Sequence, residues 1–161
     1  MAESFKSTEV MARRAWDEVS ITRTLARVAR AQDDLDEEAY CRCFTEKVLL
    51  TTAVMFPDWQ PKEITARELA RMTIEALSKR DAVHHLVTSP IIEVDGDVAR
   101  CEADLFAVSL RTEAGKSIAT MMGGRYKLRL IRENGEWLIC ERGITARYQF
   151  DVEVTAKAAP K

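Results

Sequence analysis

Two adjacent histidines, His84 and His85, head the run HHLVTSPIIEVDGDVAR and are the only histidines in the chain. The run is apolar and β-rich and closes on an Asp95-Gly96 turn signal, so it reads as a strand. Alternation along a strand lets only one of the two rings look inward, and the reading assigns that place to His85. An imidazole titrates at about 6.5 when unperturbed and can therefore accept a proton near neutral pH. A carboxylate on its second nitrogen would set the tautomer and stabilise the imidazolium, which makes a base and its orienter. Such a pair suits removal of a proton from carbon with expulsion of a group from the neighbouring carbon. The carboxylate candidate is Asp33. It falls on the flank of an apolar helical stripe, whereas Asp34 points with the arginines toward water. A carboxylate near a helix C-terminus opposes the macrodipole, a local cost that a tertiary partner can offset. The plainer alternatives are a solvated acidic turn for DDLDEE and a core or subunit-contact histidine for His85.

These residues need elements to hold them. Between Ser7 and Asp33 there is no glycine or proline, and Ile21, Leu25, Val28 and Gln32 share one stripe with Arg23, Arg27 and Arg30 opposite. This predicts a long amphipathic helix, with Ser20 the place where it could break. Asp34 or Asp36 can cap a short helix through Ala39, Tyr40 and Phe44. Val48 to Met55 reads as a strand, and FPDWQPKEI as a proline-bracketed loop whose Phe56 and Trp59 could roof a pocket or simply close the core. Thr65 and Glu68 have capping-box spacing ahead of Leu69, Met72, Ala76 and Leu77, predicting a further helix. Three turn signals, Asp95-Gly96, Glu113-Ala114-Gly115 and Asn134-Gly135, then divide a meander of strands over His84–Val94, Val98–Leu110, Lys116–Ile131 and Glu136–Val152. Strands of this length must bend, and Gly123-Gly124 marks a bend or bulge. The expected fold class is α+β: a curved antiparallel or mixed sheet wrapped around helices, a cone with an internal pocket. Tyr40, Phe106, Met121 and Tyr126 are candidate pocket residues, with Tyr126 facing away from the row Arg125, Lys127, Arg129.

Composition narrows the partners. At 161 residues the chain suits one domain over 1–161, with 1–6 and 154–161 expected as flexible tails. A net charge of −2 offers no basic field for nucleic acid. No apolar run approaches the roughly 20 residues of a membrane span, and MAESFKSTE lacks a secretory h-region, so a cytoplasmic protein is expected. Cys41, Cys43, Cys101 and Cys140 show no CxxC spacing, and the histidines would diverge, so neither disulfides, a metal nor another cofactor is expected. A long sheet has two faces and the helices can cover only one. A homodimer or homotrimer is therefore expected, with the Arg125, Lys127, Arg129, Ile131 row as a polar pairing face.

Three segments, ARAQDDLDEEAYCRCFTEKV, HLVTSPIIEVDGDVA and YKLRLIRENGEWLI, resemble in order and spacing the SnoaL-like branch of the nuclear-transport-factor-type superfamily. The likeness covers nearly the whole chain and includes lyases of the scytalone dehydratase and hexachlorocyclohexane dehydrochlorinase type. It implies a cofactor-independent lyase in which Asp33 and His85 form a catalytic dyad. Water, halide or formaldehyde would leave from a hydrophobic aromatic or polycyclic small molecule. It also carries a cationic role onto Arg142, five positions after Trp137. Two positions depart from the pattern. Val28 stands where such enzymes have Lys or Tyr, leaving an apolar pocket residue there, and Ser89 stands where Asn is common. Two alternatives stay open: a ketosteroid-isomerase-type enzyme using Asp104 as base, and a non-catalytic scaffold like the small subunit of ring-hydroxylating dioxygenases.

Overall fold

The computed structural model describes residues 2–52 and 58–155, with side chains from residue 8 onward. The glycine-free N-terminal run forms one unbroken helix, α1 (Ala2–Asp33), which passes Ser20 without a break. Its stripe buries Ile21, Leu25, Val28 and Gln32. α1 ends in a turn where Leu35 takes a left-handed φ of 55° and the Asp36 amide donates to the Ala31 carbonyl at 2.9 Å. Asp36 then caps α2 (Glu37–Cys41) by accepting from the Ala39 amide. Phe44 belongs not to this helix but to β1 (Phe44–Leu50), so the strand begins four residues before the Val48 expected from its apolar run. The proline-bracketed segment also holds a short strand, β2 (Lys62–Thr65), that the prolines concealed. The capping box of Thr65 and Glu68 opens α3 (Ala66–Ser78) as expected.

The three turn signals join four long strands: β3 (Ala82–Asp95), β4 (Val98–Glu113), β5 (Lys116–Glu133) and β6 (Glu136–Val154). The sheet order is β2-β1-β6-β5-β4-β3, and β1 runs parallel to β6 while the remaining neighbours are antiparallel. The architecture is thus the mixed α+β cone. Its core lies between the concave face and the helices, where Leu25, Leu69, Leu105, Leu128, Leu130 and Trp137 are buried together. One polar clamp fastens the helix to the sheet. Asp17 on α1 accepts from both terminal nitrogens of Arg132, at 2.6 and 2.9 Å, and from the Trp137 indole at 3.2 Å.

Curvature comes from bulges, and these decide which side chains look inward. β5 pairs with β4 without interruption, so its alternation is intact, and the irregularities fall on β6. Gly124 pairs with Ala146 and Gly123 with Tyr148, leaving Arg147 as the extra residue. A side chain at Gly124 would lie 2.7 Å from the Thr145 carbonyl oxygen, so the backbones cross there at a distance only glycine allows. A second bulge leaves Cys140 extra, since Arg129 pairs with Glu141 but Leu130 with Ile139. On β3, Thr88 pairs with Asp104 and Ile91 with Glu102, and Ser89 in the gap takes a left-handed φ of 51°.

Candidate functional site

Asp33 is the last residue of α1 and reaches the edge strand β3. His85 lies on the concave face, opposite Ala107 of β4, and its side chain is 8% exposed, against 70% for His84. The His85 Nδ1 stands 2.7 Å from Asp33 Oδ1, and the His85 backbone amide donates to Oδ2 at 3.1 Å. A carboxylate only accepts, so Nδ1 carries a proton in this contact, and in the neutral ring the lone pair is on Nε2. Alternation separates the two rings by face but not by partner. The exposed His84 Nδ1 also comes within 3.2 Å of Oδ2, because Asp33 sits at the rim of the sheet. Left-handed Leu35 and Ser89 flank the pair in sequence, one just beyond the acid and one just beyond the imidazole. Such backbone is sparsely populated by residues other than glycine and persists where the surroundings over-determine it. Ser89 itself is exposed in the bulge. Asn tolerates a left-handed backbone well, so at this place the substitution bears on backbone conformation and not on a contact with the cavity.

His85 lines a cavity of about 620 Å³ between α3 and the concave face, within the range of small-molecule sites. Its walls are mostly apolar, with Leu69, Met72, Leu105, Ala107 and Met122 among them, and Tyr126, Gln32 and Arg142 add polar groups. Arg142 is inward because of the Cys140 bulge. Counting by twos from the buried Trp137 and Ile139 would send position 142 outward, and the extra residue reverses the parity. Its guanidinium lies 5.4 Å from the Tyr126 ring centroid. Burial is the largest influence on Arg142 and works against its charge; the upward direction of its pKa comes from Tyr40 and Tyr126, which carry charge only once their own phenols ionise. Burial likewise pushes the Tyr40 phenol up to about 12, with Arg142 opposing, so the hydroxyl is neutral at physiological pH.

Several expected pocket residues lie elsewhere. Phe106 and Met121 point to the convex face, because Leu105 and Ala107 on β4 and Met122 on β5 take the inward positions. Met121 is an odd number of residues from Tyr126, so the two cannot share a face on an unbulged strand. Val28 does not reach the main cavity but lines a void of about 10 Å³ behind Tyr126 and Arg142. Tyr40 is fully buried behind the cavity wall. Trp59 is half-buried beside β1, with its indole donating to the Leu50 carbonyl at 2.9 Å and Lys62 over its ring, so it seals the core and does not roof the cavity. Phe56 lies outside the described residues. Asp104 is on the convex face in a 3.0 Å ion pair with Arg125, which removes it as a base directed at the cavity. What the sequence reading missed is the contribution of α3: Met72, Thr73, Ala76 and Leu77 form one wall. The helical spacing had pointed to this face without saying what it would face. Among the described residues no group of three or more His, Cys, Asp and Glu is arranged to hold a metal ion.

A SnoaL-like domain matches residues 13–143, spanning both members of the Asp33–His85 pair and Arg142. The chain belongs to the SnoaL-like domain family. None of the curated proteins compared with this SnoaL-like chain matches it significantly. Among solved structures, it is similar to a Mycobacterium tuberculosis protein of unknown function, with 29% identity, a TM-score of 0.65, and 81% of this chain and 77% of that one covered. It is also similar to a scytalone dehydratase-like protein from Novosphingobium aromaticivorans (16% identity, TM-score 0.72, coverage 92% and 95%). A third similar structure is a hexachlorocyclohexane dehydrochlorinase of the LinA type from Novosphingobium barchaimii (14% identity, TM-score 0.73, coverage 92% and 97%). At such identities the last two comparisons speak to the SnoaL-like cone and not to its chemistry.

Proposed function

We propose that this SnoaL-like protein is a cofactor-independent lyase acting on a hydrophobic, ring-bearing small molecule. The observation that carries the reading is the 2.7 Å contact between Asp33 Oδ1 and His85 Nδ1 at the wall of a largely apolar cavity. In this mechanism Nε2 of His85 takes a proton from a substrate carbon, and the electron pair left behind forms the new double bond as halide departs, or as hydroxide departs and takes the proton back from His85 to leave as water. For formaldehyde release Nε2 takes the proton of the hydroxymethyl oxygen instead, the C=O bond forms as the C–C bond breaks, and His85 returns the proton to the carbon left behind. Asp33 holds the ring, keeps the proton on Nδ1 and stabilises the imidazolium once Nε2 is protonated. Arg142, inside the same cavity, offers its positive charge to a substrate oxygen on which negative charge develops as the proton leaves. General-base catalysis of this type contributes about 10²–10⁴ in rate. The test is a panel of dehydratase, dehydrohalogenase and aldehyde-releasing substrates given to wild type and His85→Ala. Turnover by wild type that falls by two or more orders of magnitude in a folded variant is expected. Equal turnover by the two would rule out this mechanism.

The working unit of the proposal is a homo-oligomer in the cytoplasm, the compartment that suits four free cysteines. The cationic row does not supply the pairing face on its own, since Arg125 and Lys127 already meet Glu102 and Asp104 across the convex surface. Further along that surface Leu86, Tyr148, Phe150 and Val152 are each 41–51% exposed, an apolar patch better suited to burial against another copy.

A further inference from the structure

We propose that the molecule received by the cavity is an organic anion, an apolar ring system bearing a carboxylate that docks on Arg142. The inference deepens the elimination reading by naming the charge of its substrate, and it rests on the same cavity but not on His85.

Arg142 is 6% exposed, and among the described residues no carboxylate forms an ion pair with it. Three of the four partly buried arginines differ: Arg111, Arg125 and Arg132 each meet one or more Asp or Glu side chains, and of the four only Arg80 shares with Arg142 the lack of an ion pair among the described residues. A guanidinium cannot shed its proton to escape burial, so an isolated one is costly until an anion reaches it. Its Nε and the hydroxyls of Tyr40 and Tyr126 also lack a well-directed hydrogen-bond partner, as does the Gln32 side-chain oxygen. Arg142, Tyr126 and Gln32 all line the cavity, with the Arg142 Nε and the Tyr126 hydroxyl buried in its wall. Lys79 and Arg80 line the cavity as well, and no Asp or Glu does, although acids outnumber bases in the chain by 26 to 24. The charge of the lining residues is therefore opposite to that of the protein; the acids nearby stand behind the lining, Asp33 on His85, Glu75 3.6 Å from Lys79 and Asp151 accepting from Thr120 at 2.6 Å. A carboxylate would meet the charge of Arg142, while the rest of the ligand contacts Leu69, Met72 and Leu105.

Calorimetric titration with benzoate, naphthoate and phenylpropanoate, each against its uncharged primary amide, tests this directly. Hydrogen bonds to a buried charge predict that at least one acid binds wild type about ten- to a hundredfold more tightly than its amide. Arg142→Met should erase that preference, Arg142→Lys should keep part of it, and His85→Ala should leave it intact while abolishing turnover. Amides that bind wild type as well as every acid, or a preference that survives in folded Arg142→Met, would overturn the assignment. The wild-type comparison stands even if a variant does not fold. Anion binding and proton abstraction thus fail or succeed on separate readouts.

Discussion

Replacing Asp33 by Asn separates the orienting role of this side chain from its place in the fold. Each carboxylate oxygen has its own donor: Oδ1 accepts from the His85 ring and Oδ2 from the His85 backbone amide. Asparagine has one oxygen and one NH₂ to offer, so one of these contacts must change its direction. The backbone N–H can only donate, whereas an imidazole nitrogen can accept. The lower-energy arrangement keeps the Asn oxygen on the backbone amide and turns the NH₂ toward Nδ1. The ring proton then moves to Nε2, the atom that acts as base in the proposed mechanism. Geometry is kept and the lone pair is lost. Losing the charge-assisted bond costs about 1.5–3 kcal/mol in general, and Asp33, with its side chain 18% exposed, belongs at the lower end of that range. Turnover should fall by about 10²–10⁴, the whole contribution of a general base. Urea unfolding checks the first figure, and turnover on the best panel substrate the second. Nitrogen-15 chemical shifts of the imidazole report the tautomer. A folded Asp33→Asn protein that keeps wild-type turnover, or whose ring still carries its proton on Nδ1, would refute the reasoning.

Three further predictions follow from the same contacts. Arg142→Met should stabilise the unliganded protein by about 1–4 kcal/mol in urea unfolding while lowering turnover, because an apolar residue of similar size removes an uncompensated buried charge. Asp17 is held below its ordinary carboxyl value of 3.8, chiefly by the hydrogen bonds from Arg132 and against the opposing effect of burial. Its contribution to stability is therefore full above pH 3.8 and is lost as pH falls toward the folded-state value, so Asp17→Asn should flatten the acid limb of a stability-versus-pH curve and cost about 1.5–3 kcal/mol at neutral pH, Arg132 keeping Asp97 as a partner. Phe150→Asp places a charge in the exposed convex patch and should shift a homo-oligomer toward monomer in sedimentation velocity without changing the circular dichroism spectrum.

The elements of this chain were largely legible as sequence, since each rests on a local rule. The α1 stripe, the capping box at Thr65 and Glu68, and the turns at Gly96, Gly115 and Gly135 specify helix and hairpin with no knowledge of the rest of the molecule. The long meander with its glycine pair implied a curved sheet, and the contrast in burial between His85 and His84 agrees with strand alternation. Lining residues were less legible, because parity holds only between bulges. The residue types of Phe106 and Met121 suggest inward positions that the unbulged pairing of β4 with β5 denies them, whereas Arg142 is inward only because Cys140 is an extra residue in its ladder. No local signal marks such a bulge, since it answers to the pairing of β6 with a neighbouring strand. The left-handed turn at Leu35 is equally hidden, for DDLDEE carries no glycine to announce it. The α3 wall, the Asp17–Arg132 clamp and the approach of Asp33 to His85 all join positions distant along the chain, the last of them 52 residues apart. Sequence by itself determined which side chains carried usable chemistry and which segments were helix or strand, because those follow from residue type and spacing. Only the tertiary structure decided which of them meet, since curvature and bulge placement set the direction of every side chain in the cone.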